Sequence, residues 1–220
     1  MKRFTFYALF MVLGFSNRLL ADDATDKLIK VLHGEYAHGD SVEASLALAK
    51  MGARAVPALT EALIDTNVRV RALSARALER IGPDAKAAVP SLALLVNGTA
   101  SDAIAAMDAL AAIGPDSQAA IPNLEKVLKE VKDPKKQTAR LHAIIALGKM
   151  GPAAKEAVPA LTEVLKGKEK GGLLRLHAAE ALGRIGPDAK SALPALKDVS
   201  LDKSCPAHIV ATEAIRLIEG

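Results

Sequence analysis

An all-α chain, stacked as an α-α superhelix of about five helical hairpins with imperfect units at both ends, is what the 220-residue sequence predicts. Three observations carry this. The phrase ALGRIGPDAKSALPAL at 181–196 recurs as ALERIGPDAKAAVPSL at 77–92, ALAAIGPDSQAAIPNL at 109–124, ALGKMGPAAKEAVPAL at 146–161 and, shortened, ALAKMGARAVPAL at 47–59. Its glycines, Gly52, Gly82, Gly114, Gly151 and Gly186, lie 30, 32, 37 and 35 residues apart, the period of a stacked array. Inside the unit the apolar residues follow a helical period.

The first element to set aside is the start. MKR is a short basic run, FTFYALFMVLGF an apolar one, and SNRLLA leads to Ala21 before Asp22 and Asp23. This layout predicts a secretory signal peptide over residues 1–21, with cleavage near Ala21 and a secreted or periplasmic mature chain. An uncleaved anchor and a misread start are the alternatives. The apolar run is shorter than the roughly 20 residues a comfortable span requires. Cleavage would remove Lys2, Arg3 and Arg18 and no acid, leaving 26 basic against 25 acidic residues. The high pI is then a property of the leader and gives no reason to expect a nucleic-acid partner. All four Phe and Tyr7 would leave too, so Tyr36 is the sole aromatic of residues 22–220. Base-stacking platforms and aromatic cages need several rings and are excluded.

Residues 22–220 then read as one repeat domain, with units at roughly 40–65, 66–98, 99–133, 134–168 and 169–202 and a terminal helix over 203–220. In each unit a first, longer helix carries the stripe seen at Leu174, Ala178, Ala181, Leu182 and Ile185. Glycine followed by proline ends it, because glycine accepts the left-handed conformation and proline cannot continue a helix. A second, short helix starts near the proline placed eight residues after the glycine (Pro90, Pro122, Pro159, Pro194) or five after it (Pro57). Its apolar residues fall at i, i+3 and i+4, as in Leu161, Val164 and Leu165. Ala77, Ala109, Ala146 and Ala181 share one position, where a small side chain lets neighbouring helices approach. No hairpin can bury its stripe alone, so stability must come from stacking.

The motif A-L-x-x-[IM]-G-P-x-x-x-x-A-[VIL]-P-x-L resembles the HEAT-like repeats of the phycobilisome-lyase type, within the armadillo-like superhelix class. The resemblance runs from about Asp40 to Leu201, and HIVATEAIRLIEG after it looks like a first helix serving as a cap. The resemblance implies the superhelical fold and brings two enzyme classes into view. Bilin lyases handle a pigment and its carrier inside the cell, which disagrees with an exported chain lacking aromatic surfaces. Deoxyhypusine hydroxylase holds two irons with adjacent His-Glu pairs, whereas His142 and His177 here are each followed by Ala. Neither a catalytic residue nor a cofactor is therefore expected, and the function predicted is a non-catalytic scaffold for a protein or peptide. A lyase-like or metal-dependent enzyme and a self-associating structural module are the alternatives.

Other chemistry is sparse. His33, Glu35, His38 and Asp40 are metal-competent types within HGEYAHGD, but Asp40 and Glu43 fit a capping box and solvation accounts for the rest. Cys205 and His208 have ligand spacing without a second half, and Cys205 reads as inert, an intermolecular bridge being the other option. Asn97-Gly98-Thr99 is a glycosylation sequon.

Such stacks bind along a concave face, which the sequence assigns to the second helices. The outward positions there are Thr60 and Glu61, Ala93 and Leu94, Glu125 and Lys126, Thr162 and Glu163, and Lys197 and Asp198. Ala93 and Leu94, followed by the apolar run AIAAMDAL at 103–110, suggest an anchor spot. Lys132, Lys135, Lys136 and Arg140, with Lys168 and Lys170, suggest a basic loop edge for an anionic ligand. Once the leader is gone, no association with the membrane interior is expected.

Overall fold

The computed structural model describes residues 24–33, 40–98, 100–130, 136–167 and 172–220. The predicted signal peptide, Glu35, Tyr36, His38, Thr99 and four of the predicted loop lysines (Lys132, Lys135, Lys168, Lys170) lie outside the described residues. The described residues contain helices and turns and no strand. A first helix, α1, covers residues 24–32. Five hairpins follow: α2 (Asp40–Lys50) with α3 (Val56–Ala62), α4 (Val68–Ile81) with α5 (Val89–Leu95), α6 (Ala100–Ile113) with α7 (Ile121–Leu128), α8 (Gln137–Met150) with α9 (Val158–Lys166), and α10 (Leu173–Ile185) with α11 (Leu193–Leu201). The terminal helix α12 (His208–Glu219) packs on α10 and α11, as a cap would.

The junction inside each hairpin is more structured than a glycine-proline turn. Gly82, Gly114 and Gly186 adopt φ of 69°, 75° and 74°, which ends the long helix. The proline that follows has no N–H to continue the i→i−4 ladder, and the chain instead tightens into a seven-residue 3-10 turn, as at Gly82–Ala88. In the first hairpin that turn is only Gly52–Ala55, the structural form of the three-residue deletion. Each short helix then begins one residue before its proline, at Val56, Val89, Ile121, Val158 or Leu193.

Two layers result. The long helices α2, α4, α6, α8, α10 and α12 lie side by side in one, and the short helices in the other. Between them runs a continuous core in which Leu59, Leu78, Leu92, Leu124, Leu147, Leu161, Leu182 and Leu196 are fully buried. The stripe predicted for α10 is buried along its whole length. In the long-helix layer the backbones nearly touch: a Cβ built on Gly148 would stand 3.1 Å from the Ala181 Cα, and one on Gly183 would stand 3.0 Å from the Ala214 Cα.

A repeated polar tie sets the register of successive hairpins. The residue eleven places before the anchoring glycine reaches back to carbonyls near the end of the preceding element. Ser41 Oγ donates to Val31 O (3.2 Å), Arg71 Nη1 to Asp65 O (2.7 Å), Arg140 Nε to Leu128 O (3.1 Å) and Arg175 Nε to Leu165 O (3.1 Å). Carbonyls at a helix C-terminus have no partner within the helix, so these donors satisfy acceptors that would otherwise be stranded as the next helix covers them. Arg140, expected on a basic loop edge, is therefore corrected: it is 4% exposed and ties α8 to α7. A long side chain can carry its charge inward when its donors find acceptors there, and the local lysine-rich sequence concealed this. In α6 the equivalent position is Ala103, and its neighbour Asp102, fully buried, instead receives the Arg71 of α4 at 2.7 Å (Nε) and 2.6 Å (Nη2).

Candidate functional site

On the short-helix layer the predicted surface residues are only partly available. Glu61, Lys126, Glu163, Lys197 and Asp198 are exposed, while Thr60, Glu125 and Thr162 are half-buried. Thr60 Oγ1 donates to Val56 O and Thr162 Oγ1 to Val158 O, both at 2.7 Å, so these hydroxyls are turned into their own helices. Glu163 pairs with Lys166 at 3.0 Å, and Lys197 ties α11 to Glu219 of α12 at 3.2 Å. Ala93 is corrected: at 6% exposure it belongs to the core, because a side chain one methyl long at that position is covered by its neighbours. The run 103–110 is likewise almost entirely buried, so it adds nothing to an exposed anchor.

Leu94 is 72% exposed, and the fold gives it a companion that sequence reasoning missed, Ile64, at 79%. Both line a shallow depression of about 580 Å³ with Leu63, Leu95 and the Arg71–Asp102 pair. A signal for Ile64 was present. It stands seven residues after its proline, where the next three units carry Asn97, Lys129 and Lys166. Lys136, the one described lysine among the predicted basic-edge residues, pairs with Glu130 at 3.1 Å.

The long-helix layer presents a different surface. His142 of α8 meets Asp108 of α6, Nδ1 to Oδ1 at 2.6 Å. That hydrogen bond raises the His142 pKa, and the negative charges of Asp108 and Glu79 add to the rise against the opposing effect of burial. Glu79, on α4, is itself raised, first by burial and then by Asp108. One repeat further on, His177 Nδ1 lies 3.2 Å from Glu180 Oε2, and Arg184 Nη2 donates to Glu180 Oε1 at 2.7 Å. Between α8 and α10 runs a groove of about 190 Å³, floored by Ile145, Gly148 and Ala181 and edged by Lys149, His177, Glu180 and Arg184.

The remaining metal-competent residues have structural employment. His33 Nδ1 pairs with Asp65 Oδ2 at 3.0 Å. Cys205 is buried, and His208 Nδ1 donates to the Cys205 carbonyl at 2.9 Å, which turns the ring toward backbone rather than toward sulfur. Among the described residues no three such side chains converge to hold an ion.

Comparisons with known proteins agree with this architecture. The family model described as HEAT repeats matches residues 124–218, and the one described as PBS lyase HEAT-like repeat matches residues 42–65. Among solved structures, the crystal structure of an engineered protein superposes with a TM-score of 0.62 at 24% identity, covering 89% of this chain and 96% of the other. A second similar structure is the complex of CpcE and CpcF of phycocyanin lyase from Nostoc sp. PCC7120, with a TM-score of 0.45 at 24% identity over 92% of this chain and 85% of that one. No curated protein matches the chain. The motif and the two family matches identify HEAT-like repeats over residues 42–65 and 124–218, and the all-helical stack has the α-α superhelix architecture expected of them.

Proposed function

We propose that this HEAT-repeat solenoid works as an exported, non-catalytic scaffold that holds a protein or peptide partner on its short-helix face. The observation that carries the reading is the exposed pair Ile64 and Leu94 in their shared depression. Two large aliphatic side chains left in water on adjacent hairpins cost a soluble protein about 1.5–3 kcal/mol each relative to burial, and an anchor residue from a partner would recover it. The depression is rimmed by polar groups, Ser91 and Asn97, with the Arg71–Asp102 ion pair on its wall, the arrangement of an apolar centre inside a polar edge. Export rests on the basic-then-apolar leader ending near Ala21. The carboxylate–imidazole pairs serve as ties within the long-helix layer and need no substrate to account for them.

The test is affinity capture from the envelope fraction with the native chain and with a double variant, Ile64→Glu and Leu94→Glu. Both side chains are exposed, so the melting temperature should stay within about a degree or two, surface changes being worth about 0.5 kcal/mol or less. The reading expects a partner recovered by the native chain and lost by the variant. Equal recovery by both would remove this face from consideration.

A further inference from the structure

The long-helix layer carries a second docking surface. We infer that it binds an acidic peptide, whose carboxylates seat beside the basic residues standing two places before four of the five anchoring glycines, first of all Lys149 and Arg184 in the groove between α8 and α10.

The geometry begins with layer spacing. Long helices meet backbone to backbone at Gly148–Ala181 and Gly183–Ala214, whereas successive short helices approach each other far less closely. The register is regular: a Cβ on Gly82, Gly114 or Gly151 would stand 3.8, 3.8 or 3.6 Å from the carbonyl oxygen of Ala112, Lys149 or Arg184 respectively. Gly82, Gly114 and Gly151 thus each face the second-before-glycine residue of the next unit. Translating that position along the stack gives Lys50, Arg80, Ala112, Lys149 and Arg184, with the four cations all exposed.

The same residues complement the C-terminal helix dipoles, which accounts for their sign. It does not account for the groove between two of them. There Lys149 has no bonded partner among the described residues, and Arg184 offers Glu180 only one of its nitrogens. The other groups facing the groove are the Glu180 carboxylate, which is occupied by His177 and Arg184, His177 itself, and the apolar floor of Ile144, Ile145, Gly148 and Ala181. A carboxylate on a short apolar stem fits both chemistries. Helices packed about 8–10 Å apart place neighbouring cations about one helix spacing from each other, which three residues of an extended chain at about 3.3 Å each can span. Lys149 with Arg184 therefore suits one Glu-x-x-Glu pair. The acidic Asp84, Asp116 and Asp188 lie on the adjoining 3-10 turns and would discourage a ligand that strays onto that rim.

Titration of the full mature chain with a labelled (Glu-Ser-Ser)4 peptide, followed by fluorescence anisotropy, tests this against (Gln-Ser-Ser)4 and a sulfated polysaccharide. The acidic peptide should bind, weaken as salt rises, and lose roughly tenfold in affinity on Lys149→Glu with Arg184→Glu, the sum of two modest ion pairs. Lys149→Gln with Arg184→Gln should lose less, and both double variants should keep the native melting temperature. Ile64→Glu with Leu94→Glu should leave this binding unchanged, which separates it from the short-helix reading. Equal affinity for the Gln peptide, tighter binding of the polysaccharide, or indifference to the charge reversal would each overturn the inference.

Discussion

The seam between α4 and α6 and the seam between α8 and α10 join equivalent long helices by opposite chemistry. At the first, Arg71 of α4 crosses to a fully buried Asp102 and Glu79 occupies the place three residues before the glycine. At the second, that place is Gly148, and the helices close directly onto Ala181. One seam adds a buried ion pair to its apolar packing, and the other closes through van der Waals contact between small residues. A repeat fold tolerates both because each unit answers only to its neighbours.

Substitution at either seam tests how it is held. Asp102→Ala should be the more damaging change, costing about 3 kcal/mol, because it leaves the Arg71 guanidinium covered without its anion. Denaturant unfolding of the variant measures it, and a loss under about 1 kcal/mol would show the α4–α6 seam to be held by apolar packing alone. Gly148→Val should cost about 2 kcal/mol, since its first added carbon already stands 3.1 Å from Ala181 and overpacking forces the helices apart. A variant as stable as the native chain would mean that the α8–α10 seam is looser than its geometry implies.

The smallest effect sharpens the comparison through pH. His142 is half-exposed and its pKa is raised, chiefly by the Asp108 hydrogen bond. Its protonated form is favoured by folding, so its contribution is complete below the ordinary imidazole value of about 6.5 and is lost as pH rises through the raised value. Glu79 is also raised, by burial first, so its contribution is complete below the ordinary carboxyl range and is lost as pH rises through its own raised value. Melting curves from pH 5 to 9 should show stability falling through the imidazole window by less than about 1 kcal/mol, and His142→Asn should flatten that window alone. An unchanged profile in the variant would detach the Asp108–His142 pair from stability.

Much of this was legible in advance because the repeat is written locally. Glycine and proline at constant offset determine where a helix ends and the next begins, and the residues between them must be apolar at helical spacing if hairpins are to stack. The burial of Leu174, Ala178 and Ile185 follows from that pattern. The surfaces were less legible. Ala93 and Arg140 were misplaced because position in a repeat says which way a side chain leaves its own helix and nothing about what a neighbouring hairpin lays over it. Ile64 was missed for the complementary reason, since its exposure depends on how far α3 stands from α5.

The helical hairpin and its repetition follow from the residues alone, because capping, chain breaking and periodic burial act over a few positions. The packing of hairpin on hairpin set which layer is tightly spaced, which charges are taken up in ties, and which groups stay exposed. Those depend on distances between residues some thirty positions apart. Such distances are set by small residues such as Gly148 and Ala181, whose importance lies in what they allow to approach.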